Sequence, residues 1–115
     1  MCRTMSRNCL FMDEELQKGD FLLSNNGEYK AIFQEDGNFV VYGWKQVWQS
    51  NTAGQTNATV LIMQGDCNCV MYTHGRALWH TNTHKSYVKD CRLTLRNDGT
   101  LVVENDGRVV WSSAN

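Results

Sequence analysis

From Tyr29 onward, apolar and polar residues alternate in short runs, and turn residues end each run. Ala31, Phe33, Phe39 and Val41 fall on one side of a period of two; Ile32, Gln34, Asn38, Val40 and Tyr42 fall on the other. The same inward positions recur as Leu61, Met63, Cys69 and Met71, and again as Leu93, Leu95, Leu101 and Val103. All of them are apolar or Cys. Asn26-Gly27, Asp36-Gly37, Asp98-Gly99 and Asp106-Gly107 are hairpin-turn dipeptides, because Gly, Asn and Asp tolerate positive φ. Proline is absent and no stretch sustains a helical period. The pattern predicts an all-β protein.

The alternation repeats as a unit: strand, tight turn, strand, Gly-containing turn, tryptophan. Three units are expected over about residues 29–52, 59–83 and 91–115, with Trp48, Trp79 and Trp111 spaced 31 and 32 residues apart. Short sheets with one apolar face are not stable singly. Packed around a common axis, they would form a three-faced prism with the tryptophans stacked near its centre. A β-trefoil is the rival threefold fold, but its units run nearer about 40 residues, so the prism is preferred. Residues 16–28 read as one further strand plus turn, completing the sheet that the third unit leaves short. The domain is expected over 16–115, after an N-terminal segment, 1–15, in which partial disorder is expected.

Length and charge then narrow the classes. A chain of 115 residues suits one domain. A net charge of −1 leaves no electrostatic footprint for nucleic acid. No apolar run approaches the roughly 20 residues that span a bilayer, so membrane insertion is not expected. The polar, mixed start of the chain is not expected to act as a cleavable secretory leader. Five cysteines are an odd number, so at least one is free or pairs between chains. They form no CxxC pair, and His74, His80 and His84 lie in loops or just after a tryptophan, so no zinc site is expected.

The outward face carries the candidate chemistry. Gln34, Asp36, Asn38, Val40 and Tyr42 recur at identical spacing as Gln64, Asp66, Asn68, Val70 and Tyr72. One carboxylate flanked by amides cannot divide acid and base roles, and no Ser or Cys sits with a His at a recognisable spacing. The chain is not expected to be an enzyme. One carboxylate and two amides are also thin for a hard cation. The set suits a sugar: hydroxyls donate and accept, amides and carboxylates match them at fixed positions, and valine offers a patch for the ring's C–H face.

The duplicated QxDxNxVxY at Gln34–Tyr42 and Gln64–Tyr72 resembles the mannose-binding motif of the bulb-type (monocot, snowdrop-like) lectins, from Leu16 to Trp111. The stretch "GDFLLSNNGEYKAIFQEDGNFVVYG" is most similar to the fish skin and mucus lectins of that family. The resemblance implies a β-prism II fold and mannose binding without metal or other cofactor. It implies that Asp36 and Asn38 hold the axial 2-hydroxyl, Gln34 the 3-hydroxyl and Tyr42 the 4-hydroxyl, with Val40 against the ring. Asp66, Asn68, Gln64, Tyr72 and Val70 would act likewise. The third unit departs from the motif: Arg96, Asp98, Thr100, Val102 and Glu104 keep only Asp and Val, so that face is expected to be inactive toward mannose. Asn38→Asp and Asn68→Asp are expected to abolish their sites without touching the core.

The resemblance also implies a Cys67–Cys91 disulfide and a homodimer or homotetramer. The implied role is recognition of mannose-containing glycans in mucosal or innate defence, with a secreted, extracellular location reached by a route the sequence does not declare. A cytoplasmic location is the alternative. The other function class is a protein-binding prism that engages or antagonises a cell-surface receptor, its sugar sites secondary. Asn57 opens a formal glycosylation sequon.

Overall fold

The computed structural model describes residues 7–114. Its strands are β1 (Cys9–Leu10), β2 (Glu15–Gln17), β3 (Phe21–Leu23), β4 (Lys30–Phe33), β5 (Phe39–Tyr42), β6 (Gln46–Gln49), β7 (Val60–Met63), β8 (Cys69–Thr73), β9 (Arg76–His80), β10 (Cys91–Leu95), β11 (Leu101–Asn105) and β12 (Arg108–Ser112). They form three antiparallel four-stranded sheets, ordered β3-β4-β5-β6, β2-β7-β8-β9 and β1-β10-β11-β12. Each repeat supplies three consecutive strands to one sheet. The inward positions read from the alternation, from Ala31 through Val103, are all fully buried. Trp48, Trp79 and Trp111 meet edge to face, with centroids 5.6 to 5.9 Å apart. They do not stack in parallel, because the ring quadrupole favours edge-on contact.

The N-terminal region differs from the sequence expectation. Residues 16–28 do not form one strand on the third sheet. Phe21–Leu23 pairs with β4 of the first repeat, Glu15–Gln17 with β7 of the second, and Cys9–Leu10 with β10 of the third. The chain thus lays one short strand on each sheet in turn, and the fold reaches back beyond residue 16 to Cys9. Leu10, Leu16 and Leu22, six residues apart, are buried opposite Leu93, Leu61 and Ala31. The backbone repeats the same step. Asn8, Glu14 and Asp20 carbonyls accept from the Leu95, Met63 and Phe33 amides, respectively, at 2.7, 3.0 and 3.0 Å.

The three sheets are joined by a different device at each corner. Gly37, Cys67 and Gly99 occupy equivalent turn positions with φ of 87°, 76° and 87°. Behind Gly37 lies the Gln55 backbone, whose carbonyl oxygen would be 2.1 Å from an added Cβ. Behind Gly99 lies the Tyr29 ring, 2.6 Å from such an atom. At the second corner Cys67 is bonded to Cys91. This is the pairing implied by the family resemblance.

Cys69 is fully buried, and desolvation pushes its thiol up to about 12 from 9.0. The folded state therefore keeps a proton that the unfolded chain releases near pH 9, so this group's contribution to stability declines as pH rises above that value. Native protein at pH 8 is expected to protect Cys69 from iodoacetamide, and denatured protein to expose it. Peptide mapping that finds Cys69 alkylated in the native state would contradict its burial. Cys2 lies outside the described residues.

Candidate functional site

Each repeat builds its candidate site on a four-residue turn between its first two strands. In the first, the Gln34 amide donates to the Asn38 carbonyl at 2.9 Å and the Gly37 amide to the Gln34 carbonyl at 3.0 Å. Asp36 Oδ1 accepts from the Asn38 amide at 3.0 Å, an Asx turn that fixes the carboxylate. The same bonds recur around Gln64, Cys67 and Asn68, with Asp66 Oδ1 3.0 Å from the Asn68 amide.

Asn38 lies on the outer face but is only 5% exposed. Its Oδ1 accepts from Ser50 Oγ and from the Thr52 amide, both at 3.1 Å, while its Nδ2 donates to Gln49 Oε1 at 2.8 Å. The backbone donor of Thr52 fixes which end of the amide is oxygen. With the carbonyl committed twice, the one amide hydrogen left over makes Asn38 a donor to any ligand. Asn68 is held likewise, its Oδ1 accepting from Thr81 Oγ1 at 3.3 Å and the Thr83 amide at 3.2 Å. Thr52 and Thr83 also donate their hydroxyls to the Gly37 and Cys67 carbonyls, both at 2.6 Å. The segments Gln49–Thr52 and His80–Thr83 therefore support the site. The alternation gave no sign of them, although "QSNT" and "HTNT" repeat directly after two of the tryptophans.

The far end of each site is a bridge. Gln34 Nε2 donates to the Tyr42 hydroxyl at 2.7 Å, and Gln64 Nε2 donates to that of Tyr72. Gln34 stands beyond Ile32, which faces Val40, so this diagonal crosses the Ile32–Val40 pair. Val40 and Val70 are only 1% and 3% exposed. At this exposure each valine is a floor beneath the polar rim.

The third turn keeps the frame and changes the rim. The Thr100 amide donates to Asp98 Oδ1 at 2.9 Å; this bond and the Thr100 hydroxyl hold the carboxyl below its ordinary value. Arg96 and Glu104 stand where Gln and Tyr bridge elsewhere, 3.7 Å apart, and Thr94 Oγ1 donates to Glu104 at 3.3 Å. Thr100 is shorter than Asn; the main-chain bond to the supporting hydroxyl, made by Phe39 N to Ser50 Oγ and by Cys69 N to Thr81 Oγ1 in the other repeats, persists as Leu101 N to Ser113 Oγ at 2.9 Å.

No protein-family model matches the chain. A curated relative, the B-type lectin plumieribetin of Scorpaena plumieri, is 52% identical over 107 residues, covering 92% of this chain and 94% of that one. The chain belongs to the B-type, or bulb-type, lectin family. The lectin fold is similar to that of the monomeric monocot mannose-binding lectins from Gastrodia elata. The TM-score is 0.85 at 32% identity, over 94% of this chain and 97% of that one. It is also similar to the mannose-specific agglutinin of snowdrop (Galanthus nivalis), solved in complex with methyl-α-D-mannoside. There the TM-score is 0.75 at 34% identity, over 85% and 89% of the two chains. The prism of this lectin is the β-prism II.

Proposed function

We propose that the protein is a mannose-binding lectin that recognises mannose-containing glycans through two sites per chain, without a metal ion. The observation that carries this reading is the matched pair of frames. In each, Asp offers a fixed acceptor, Oδ2, beside an Asn whose saturated carbonyl leaves only a donor. A hydroxyl both donates and accepts, so such a pair fits one hydroxyl group at a defined place. The axial 2-hydroxyl of mannose would take Asp36 and Asn38, with the 3-hydroxyl on Gln34 and the 4-hydroxyl on Tyr42. Gln64, Asp66, Asn68 and Tyr72 would repeat this, and an epimer would leave polar groups unpaired.

Calorimetry with methyl-α-D-mannoside in EDTA is expected to give two equivalents per chain, with a Kd on the order of millimolar, about −4 kcal/mol. Galactose, epimeric at two of these hydroxyls, is expected not to bind. Loss of mannoside binding on chelation would sink the metal-free mechanism. Extracellular glycan recognition in mucosal defence, by a dimer or tetramer, extends the same reading. A second reading, docking of a protein partner, is favoured at the third face alone, where the Arg96–Glu104 pair replaces the amide–phenol bridge.

A further inference from the structure

The β5–β6 hairpin carries a side chain that the fold does not use. Trp44 is 96% exposed, whereas the three repeat tryptophans are packed on one another. The hairpin itself needs no aromatic there. Its counterparts turn through His74-Gly75 and Asp106-Gly107, all at positive φ, with polar or small residues. An unburied indole of this size is costly in water and invites a partner surface.

Its position limits what that partner can be. Trp44 follows Tyr42 by two residues, in the tight turn between β5 and β6, so its backbone lies at most about 7 Å from that of Tyr42 at about 3.3 Å per residue. The intervening Gly43 is pressed onto Tyr29, whose ring carbon would lie 2.6 Å from a Cβ at that position. The root of the hairpin is therefore fixed against the body of the prism, with the Gly43 amide bonded to the Lys45 carbonyl at 3.0 Å. The hairpin leaves β5 at Tyr42, so its tip adjoins the Tyr42 end of the first site. The apolar C–H face of a pyranose matches a flat aromatic surface, and Lys45 and Gln46 flank it with polar groups for hydroxyls.

We propose that Trp44 is a stacking platform for a second hexose, extending the first site into a subsite for oligomannosides. This rests on the mannose reading of Gln34–Tyr42. The second site has His74 near this place and the third has Asp106, so the extension makes the first site the one selective for longer chains. The two intact sites of one chain are thus not equivalent.

The test isolates the first site with Asp66→Asn and compares methyl-α-D-mannoside with a linear mannotriose by calorimetry. The trisaccharide is expected to bind about tenfold tighter, the upper range of one aromatic contact. Trp44→Ala should collapse that ratio to about one, and Trp44→Phe should restore part of it. Indole fluorescence should become less quenchable by acrylamide when mannotriose is added, and not when methyl mannoside is added. A trisaccharide advantage that survives Trp44→Ala overturns the subsite while leaving the mannose site standing. Failure of the Asp66→Asn protein to bind either sugar overturns the mannose reading and the subsite with it.

Discussion

A protein carrying Asp36→Asn and Asp66→Asn together is expected to fold normally and to lose binding to yeast mannan. Each aspartate uses one oxygen for the amide two residues on, at 3.0 Å, and an asparagine oxygen can keep that bond. Both aspartates are exposed, so no buried contact is lost. The other oxygen becomes an NH2 group. Two donors then face a hydroxyl whose own hydrogen has no acceptor, at a cost of about 1–3 kcal/mol. Set against roughly −4 kcal/mol for a millimolar site, that abolishes measurable affinity. Each single variant should retain about half the monosaccharide stoichiometry, while its hold on mannan falls by about two to four orders of magnitude as bridging is lost. A double variant with native near-UV circular dichroism that still binds mannan at full strength would place the sugar elsewhere.

Asn38→Asp is a poorer probe than the alternation suggested. The side chain faces outward in register, yet its amide ties Gln49, Ser50 and Thr52 to the turn. A carboxylate there could still accept from Ser50 and Thr52 but could not donate to Gln49. A nearly buried charge would then sit beside Asp36, and loss of binding could not be separated from local unfolding. At the second site the position matching Gln49 is His80, and Asn68 is more open than Asn38. Asn68→Asp is accordingly the milder of the two changes.

What was legible in the sequence was whatever repeats with a period of two. Ala31 through Val103 alternate because one face of each sheet meets the common axis, and burial there leaves little choice of register. The duplicated rim residues were legible for the same reason, since they occupy the opposite face of the same strands. The strands β1 and β2, with two and three residues, are too short to show any alternation. Their existence is decided by ladders to residues more than forty positions away. A signal was nonetheless present: Leu10, Leu16 and Leu22 mark a six-residue step, one leucine per sheet, with Asp13 and Gly19 turning the chain at positive φ between them. The supporting segments were hidden because Ser50, Thr81 and Thr83 look like loop residues by type. Their burial follows from bonds to the turn they brace.

Removing the Cys67–Cys91 bond should destabilise the protein by an amount that depends on the residue left at position 67. The bond closes a separation of 24 residues, and its cross-link contribution is about 3 kcal/mol on the chain-entropy account. Cys67 also occupies a left-handed turn position, φ 76°, that the other two repeats give to glycine. An L-residue there costs about 1 kcal/mol more than glycine. Cys67→Ala with Cys91→Ala should therefore lose about 3 kcal/mol, since alanine bears the same left-handed cost as cysteine; that is a large share of the roughly 5–15 kcal/mol typical of a domain. Cys67→Gly with Cys91→Ala should lose about 2 kcal/mol, because glycine relieves the backbone cost that the parent's cysteine carries while the cross-link stays absent. Urea midpoints should fall in the order parent, glycine variant, alanine variant. Cys67 stands between Asp66 and Asn68, and its carbonyl holds Thr83, so the second sugar site should weaken in the same order while the first keeps its single equivalent. Coincident midpoints for the two variants would show that the turn carries no left-handed penalty. A glycine variant as stable as the parent would show that the cross-link adds no more than the roughly 1 kcal/mol of backbone relief that glycine brings.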